Sequence, residues 1–118
     1  MLDISFYTAN DRPSHHVEVA ENFLEWLARS NFSKIGEDKH ANIWIDGEKA
    51  TLPLVKLGKI NRQNFIDFFN EAIVSETKVI LEMLANSSVK EERIYRIKKL
   101  IELLDCMKDE KYQYLQRI

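Results

Sequence analysis

The sequence predicts a small single domain of the α/β (α+β) class, and three observations predict it. The opening stretch LDISFYTA sets Ile4, Phe6 and Tyr7 in β-favouring company. Apolar residues then recur at helical spacing, first over about 15–29 and again from Asn61 to Met107. Between those segments Asp46-Gly47 joins two apolar runs, the strongest short hairpin signal a sequence carries. With 3 glycines and 2 prolines in 118 residues, the chain has too few turn formers for a sandwich of many short strands. The expected arrangement is one domain over 1–118, in β-α-β-(β)-α order. Residues 1–70 form a small mixed sheet with its helices, and 71–118 an antiparallel helical hairpin.

Each element has its own signal. LDISFYTA reads as the first strand, and NDRP breaks it. Ser14 is placed to cap a helix over about 15–29, with Val17, Ala20, Phe23, Leu24 and Leu27 on one stripe. Ser30-Asn31 ends that helix. FSKIGED reads as a short second strand, and ANIWIDGEKATLPLV as a hairpin; both readings stand. LPLVKLG is strand-like and Gly58-Lys59 offers a second turn. Asn61 is placed to cap the next helix, whose stripe runs Phe65, Phe68, Phe69, Ala72, Ile73 and on through Val79, Ile80, Met83 and Leu84, with a bend near Ser75. NSS at 86–88 breaks it, and Ser88 with Glu91 matches a capping box. The last helix carries Ile94, Ile97, Leu100, Ile101, Leu104 and Met107, and a short connection folds it back on its predecessor.

Bulk chemistry narrows the function classes. A net charge of −2 and a pI near 5.9 remove the general electrostatic motive for binding nucleic acid or an anionic membrane. A single cysteine, Cys106, forms no intrachain disulfide and no Cys-x-x-Cys pair, so a reducing, cytoplasmic setting is expected. No apolar run approaches the roughly 18 residues of a membrane span, and the N-terminal stretch lacks the pattern of a signal peptide. Walker loops, G-x-G-x-x-G and G-x-S-x-G are absent. His15 and His16 are adjacent and so diverge by about 100° on a helix; with no supporting ligand pattern, no metal is expected.

Pro53 is the unusual residue. It interrupts an apolar strand-like run, where proline has no N–H to give a sheet. A strand and helix in DISFYTANDRPSHHVEVAENFLEWLARSNF, then TLPLVKLGKI, then NFIDFF resemble, over about residues 2–70, the N-terminal thioredoxin-like half of glutathione S-transferases. Within that superfamily the noncatalytic metaxin-like proteins are the most similar. The resemblance implies a cis Pro53 opening the third strand. It places Tyr7 or Ser14 where the family keeps the hydroxyl that stabilises a glutathione thiolate, and Pro53, Asn61 and Arg62 around the tripeptide. Beside this stand plainer readings: Tyr7 as core packing with its hydroxyl at the rim, Ser14 as an N-cap, Cys106 as a small helix residue.

Where the family keeps a Glu/Gln-Ser pair for the γ-glutamyl carboxylate, this chain reads Asn61-Arg62. That substitution removes a hydroxyl and leaves a guanidinium that forks onto carboxylates. The expectation is therefore a noncatalytic module that binds another protein, with no cofactor, and with Trp44 as the exposed anchor. A homodimer is compatible with it. If metaxin-like, the chain works at the cytosolic face of an organelle membrane. The alternatives are a divergent glutathione-dependent transferase using Tyr7 or Ser14, and a small inhibitor or immunity-type protein that covers a target surface.

Overall fold

A computed structural model describes residues 2–10, 12–85 and 90–117. Its elements run β1 (Leu2–Thr8), β2 (His15–Val19), α1 (Glu21–Arg29), a 3-10 turn (Asn31–Lys34), β3 (Lys39–Ile45), β4 (Glu48–Lys56), α2 (Lys59–Ala85), α3 (Glu91–Lys108) and β5 (Tyr112–Gln116). The class is α+β as expected: one five-stranded sheet and three helices.

The connectivity departs from the expected order. The strands lie β2-β1-β5-β4-β3, and every pairing is antiparallel. The strand–helix–strand crossover implied by the transferase resemblance is therefore not how these segments are arranged. Two strands explain the difference. His15–Val19 pairs with β1, Val17 opposite Ile4 and Val19 opposite Leu2, so the expected helix starts only at Glu21. Ser14 precedes that strand and caps no helix; Ala20 holds the cap position, and its N–H donates to the Tyr95 hydroxyl at 2.8 Å. Residues 71–118 are not wholly helical either, because β5 returns to the centre of the sheet between β1 and β4. FSKIGED holds a 3-10 turn in place of a strand.

The hairpin at Asp46-Gly47 forms as its sequence demands. Both central residues have positive φ (51° and 80°), as a two-residue type I′ turn requires, and Ile45 pairs with Glu48. That register also accounts for Pro53. Counting from a two-residue turn, Ile45–Glu48 is a hydrogen-bonded pair and the alternation makes His40–Pro53 a non-hydrogen-bonded one. The proline nitrogen therefore points away from β3, toward an edge that β5 leaves open, since β5 pairs with β4 only at Val55 and Lys56. The Pro53 peptide bond is trans, against the expected cis form, and the residue lies within β4 and not at its start.

One sheet face is dry and covered by the helices. Ile4, Phe6, Val17, Val19, Val55 and Leu115 meet Phe23 and Leu27 of α1, Phe65 and Phe69 of α2, and Leu100, Leu103, Leu104 and Met107 of α3. Phe32 lies among Phe65, Phe68 and Phe69 at ring separations of 5.4–6.0 Å. The other face is partly covered by the β3–β4 hairpin curling back over it: Ile43 and Leu54 pack against Tyr7, with Tyr114 alongside.

α2 and α3 form the expected antiparallel pair, with Arg62 beside Met107 and Glu76 beside Arg93 and Arg96. α2 passes Ser75 as one uninterrupted helix. Gly58 is no hairpin turn, since its carbonyl accepts the Arg62 N–H that opens α2. Asn61 lies in the first turn and donates to the Lys56 carbonyl at 3.0 Å. The α3 stripe rotates away from Ile94 and Ile101, which are exposed, onto Leu103. Lys90 holds the cap position of α3; Ser88 of the expected capping box lies outside the described residues.

Two arginines fasten the C-terminal segment. Arg62 donates to the carbonyls of Met107 (2.8 Å) and Asp109 (3.2 Å), which the end of α3 leaves free, and to those of Leu57 (3.4 Å) and Tyr112. Arg117, its side chain only 5% exposed, pairs with Asp38, donates to the Phe32 and Gly36 carbonyls and lies over the Phe32 ring. Gly36 has φ +65°, and a Cβ there would meet Val55 Cγ1 at 2.7 Å, so this loop needs glycine.

Candidate functional site

Three of the residues singled out from sequence converge. Tyr7 at the end of β1, Ser14 before β2 and Trp44 near the hairpin tip line one cleft of about 280 Å³, closed by Arg12, Pro13 and Asp46. The curl of the β3–β4 hairpin brings Trp44 across, and the β1–β2 loop supplies the opposite wall. That loop is pinned at its start: the Thr8 hydroxyl, itself buried, donates to the Asn10 carbonyl and reaches the Arg12 carbonyl at 3.5 Å. Trp44 is 52% exposed while its strand neighbour Ile43 is 2% exposed. The indole is thus presented on a strand anchored by its own core residue.

The polar groups beside the cleft form a network. Ser5 Oγ shares a hydrogen bond with His16 Nδ1 at 2.7 Å, and Ser14 Oγ shares one with His16 Nε2 at 3.0 Å. The His16 ring stands edge-on to Tyr7, with centroids 6.0 Å apart. Tyr7 donates its hydroxyl to Gln116 Oε1 at 2.8 Å. A serine touching a histidine is the start of nucleophilic chemistry, which also needs a group to steady the imidazolium that forms. Here the second nitrogen meets a neutral hydroxyl. The two hydrogen bonds fix the ring's orientation.

The other expected site residues lie elsewhere. Arg62 has its guanidinium on four backbone carbonyls, so it is not set to fork onto a carboxylate. Asn61 lines a different, open cavity with Gly36, Lys39, Lys56 and Tyr114. Pro53 is outside both cavities. Cys106 is half-buried, and its thiol is pushed up to about 11 by burial, reinforced by the carboxylates of Glu102, Asp105 and Asp109. His15 and His16 point to opposite faces of β2. Among the described residues no group of three His, Cys, Asp or Glu comes together that could hold a metal ion, and no helix is long and apolar enough to cross a membrane.

Sequence reasoning missed Ser5, Arg12, His16 and Asp46 as neighbours of this cleft. The signal for His16 was present. In HHVEV, Val17 and Val19 alternate with polar residues, the mark of a strand with one buried face, and that strand puts His16 opposite Ser5. Set against family models, curated proteins and solved structures, the chain matches none of them.

Proposed function

We propose that this chain is a noncatalytic protein-binding module and that it takes its partner at the Trp44 cleft. The observation that carries the reading is the exposed indole of Trp44 on the paired β3–β4 hairpin, at a cleft that Arg12 and Tyr7 also line. Tryptophan, tyrosine and arginine dominate binding hot spots because each buries a large, stiff surface and still offers a polar contact. Holding Trp44 and Tyr7 on paired strands lowers the ordering cost of association.

The test is quantitative affinity capture with the tagged chain and two variants, Trp44→Ala and Glu25→Ala, the second on the exposed side of α1. A partner retained by the parent and by Glu25→Ala, and weakened more than about tenfold by Trp44→Ala, supports the reading. Equal retention by all three overturns it.

A further inference from the structure

Of the eight large apolar side chains exposed among the described residues, five lie between Val74 and Ile101: Val74, Leu81, Leu84, Ile94 and Ile101. On α2, Asn70, Val74, Thr77 and Leu81 follow 4-3-4 spacing, so they share one stripe, roughly opposite the stripe of Phe65, Phe69 and Glu76 that faces inward. A shallow groove of about 390 Å³ lies beside that stripe, sharing Asn70 and Val74 with it and lined further by Glu71, Ser75 and Lys78.

The charges of this groove have an order. Glu71 and Lys78 bracket Val74 at i−3 and i+4, and both are exposed without an ion pair among the described residues. Lys98 and Asp105 bracket Ile101 on α3 in the same way. A foreign acidic or basic helix would be matched by charges of one sign. Alternating signs about an apolar centre match the same surface turned by a two-fold rotation.

We propose that two copies of this chain pair through the outer face of the α2–α3 hairpin, α2 against α2 and antiparallel, with the two-fold axis at Val74–Ser75. Glu71 and Lys78 are equidistant from that axis, so Glu71 of each copy opposes Lys78 of the other. Ser75, small and on the axis, lets the helices approach closely. Val74 and Leu81 supply the apolar contact.

Sedimentation velocity from about 1 to 100 μM reads the association directly. The parent chain is expected to dimerise. Glu71→Lys sets lysine against lysine at both ends of the contact and Lys78→Glu sets glutamate against glutamate. Each is expected to raise the dissociation constant about tenfold or more. Mixing the two variants restores both attractions, so the mixture recovers the dimer as a heterodimer. The two positions tested are exposed, and unchanged circular dichroism melts confirm folding. A parent monomeric throughout, single variants that dimerise like the parent, or a mixture that stays monomeric each overturns the proposal.

Discussion

The two ends of the α2–α3 hairpin are built from the same helices and are held by different physics. At the base, Phe65, Phe69, Leu100, Leu103 and Met107 are fully buried against the sheet and α1, and Arg62 closes the end of α3. Toward the tip, Val74, Leu81 and Leu84 stand exposed, and the one residue of α2 buried there is Glu76. Its carboxylate meets Arg96 at 2.7 Å and Arg93 at 3.4 Å, while Arg96 also lies 4.6 Å over the Trp26 ring. An apolar stripe is buried only where another element lies beneath it. Where the sheet ends, an ion pair joins the two helices instead.

That contrast breaks most sharply by truncation. Phe65→Ala removes a fully buried ring touching Phe32 and is expected to destabilise the fold by about 3–5 kcal/mol, through lost transfer free energy and the cavity left behind. Leu84→Ala, at a side chain 58% exposed, is expected to stay within about 0.5 kcal/mol. Urea unfolding of both variants measures the difference. Equal effects would mean that the tip carries a core of its own.

A second substitution sharpens the comparison. Glu76→Gln leaves two guanidinium groups facing a neutral amide, with the Arg96 side chain only 15% exposed. The expected loss is about 2–3 kcal/mol, below the figure for a fully enclosed pair because Arg93 reaches water. Replacing Glu76 and Arg96 together by leucine and methionine is expected to recover most of it, since an apolar pair carries no stranded charge. Hydrogen exchange localises the effect: protection should fall in α2 beyond Glu76 and in the first turns of α3, and persist around Phe65. Uniform loss would show the two ends to be one cooperative unit.

The same division explains what the sequence disclosed. β1, the Asp46-Gly47 hairpin and the two long helices announce themselves because turn chemistry and periodicity are local. β2 stayed hidden because Val17 falls in phase with Ala20, Leu24 and Leu27, so a five-residue alternation passed for the first turn of α1. β5 stayed hidden because YQYLQ finds its partners β1 and β4 far away in the chain. The Arg62 and Glu76 contacts are tertiary in the same sense. At the candidate site, Tyr7, Ser14 and Trp44 were legible one by one. Their convergence depends on β2 and on the curl of β4 past its short pairing with β5, and neither can be read from any local window.

Cys106 gives the smallest and most local test, at the base near the end of α3. Burial and three nearby carboxylates raise its thiol to about 11, and the thiolate is the reactive form. At pH 8 its alkylation by iodoacetamide is expected to run about a hundredfold slower than that of the same chain in denaturant, because the pKa difference sets the thiolate fraction. The rate should climb as pH rises toward 11 and level off above it. The sign for stability follows: the folded state keeps a proton that the unfolded thiol releases, so the fold weakens as pH rises from the unfolded thiol's range through about 11. A thiol that alkylates at pH 8 as fast folded as unfolded would mean that the base opens around Cys106 on the timescale of the reaction, and the rigid half of the comparison would then end short of α3's last turn.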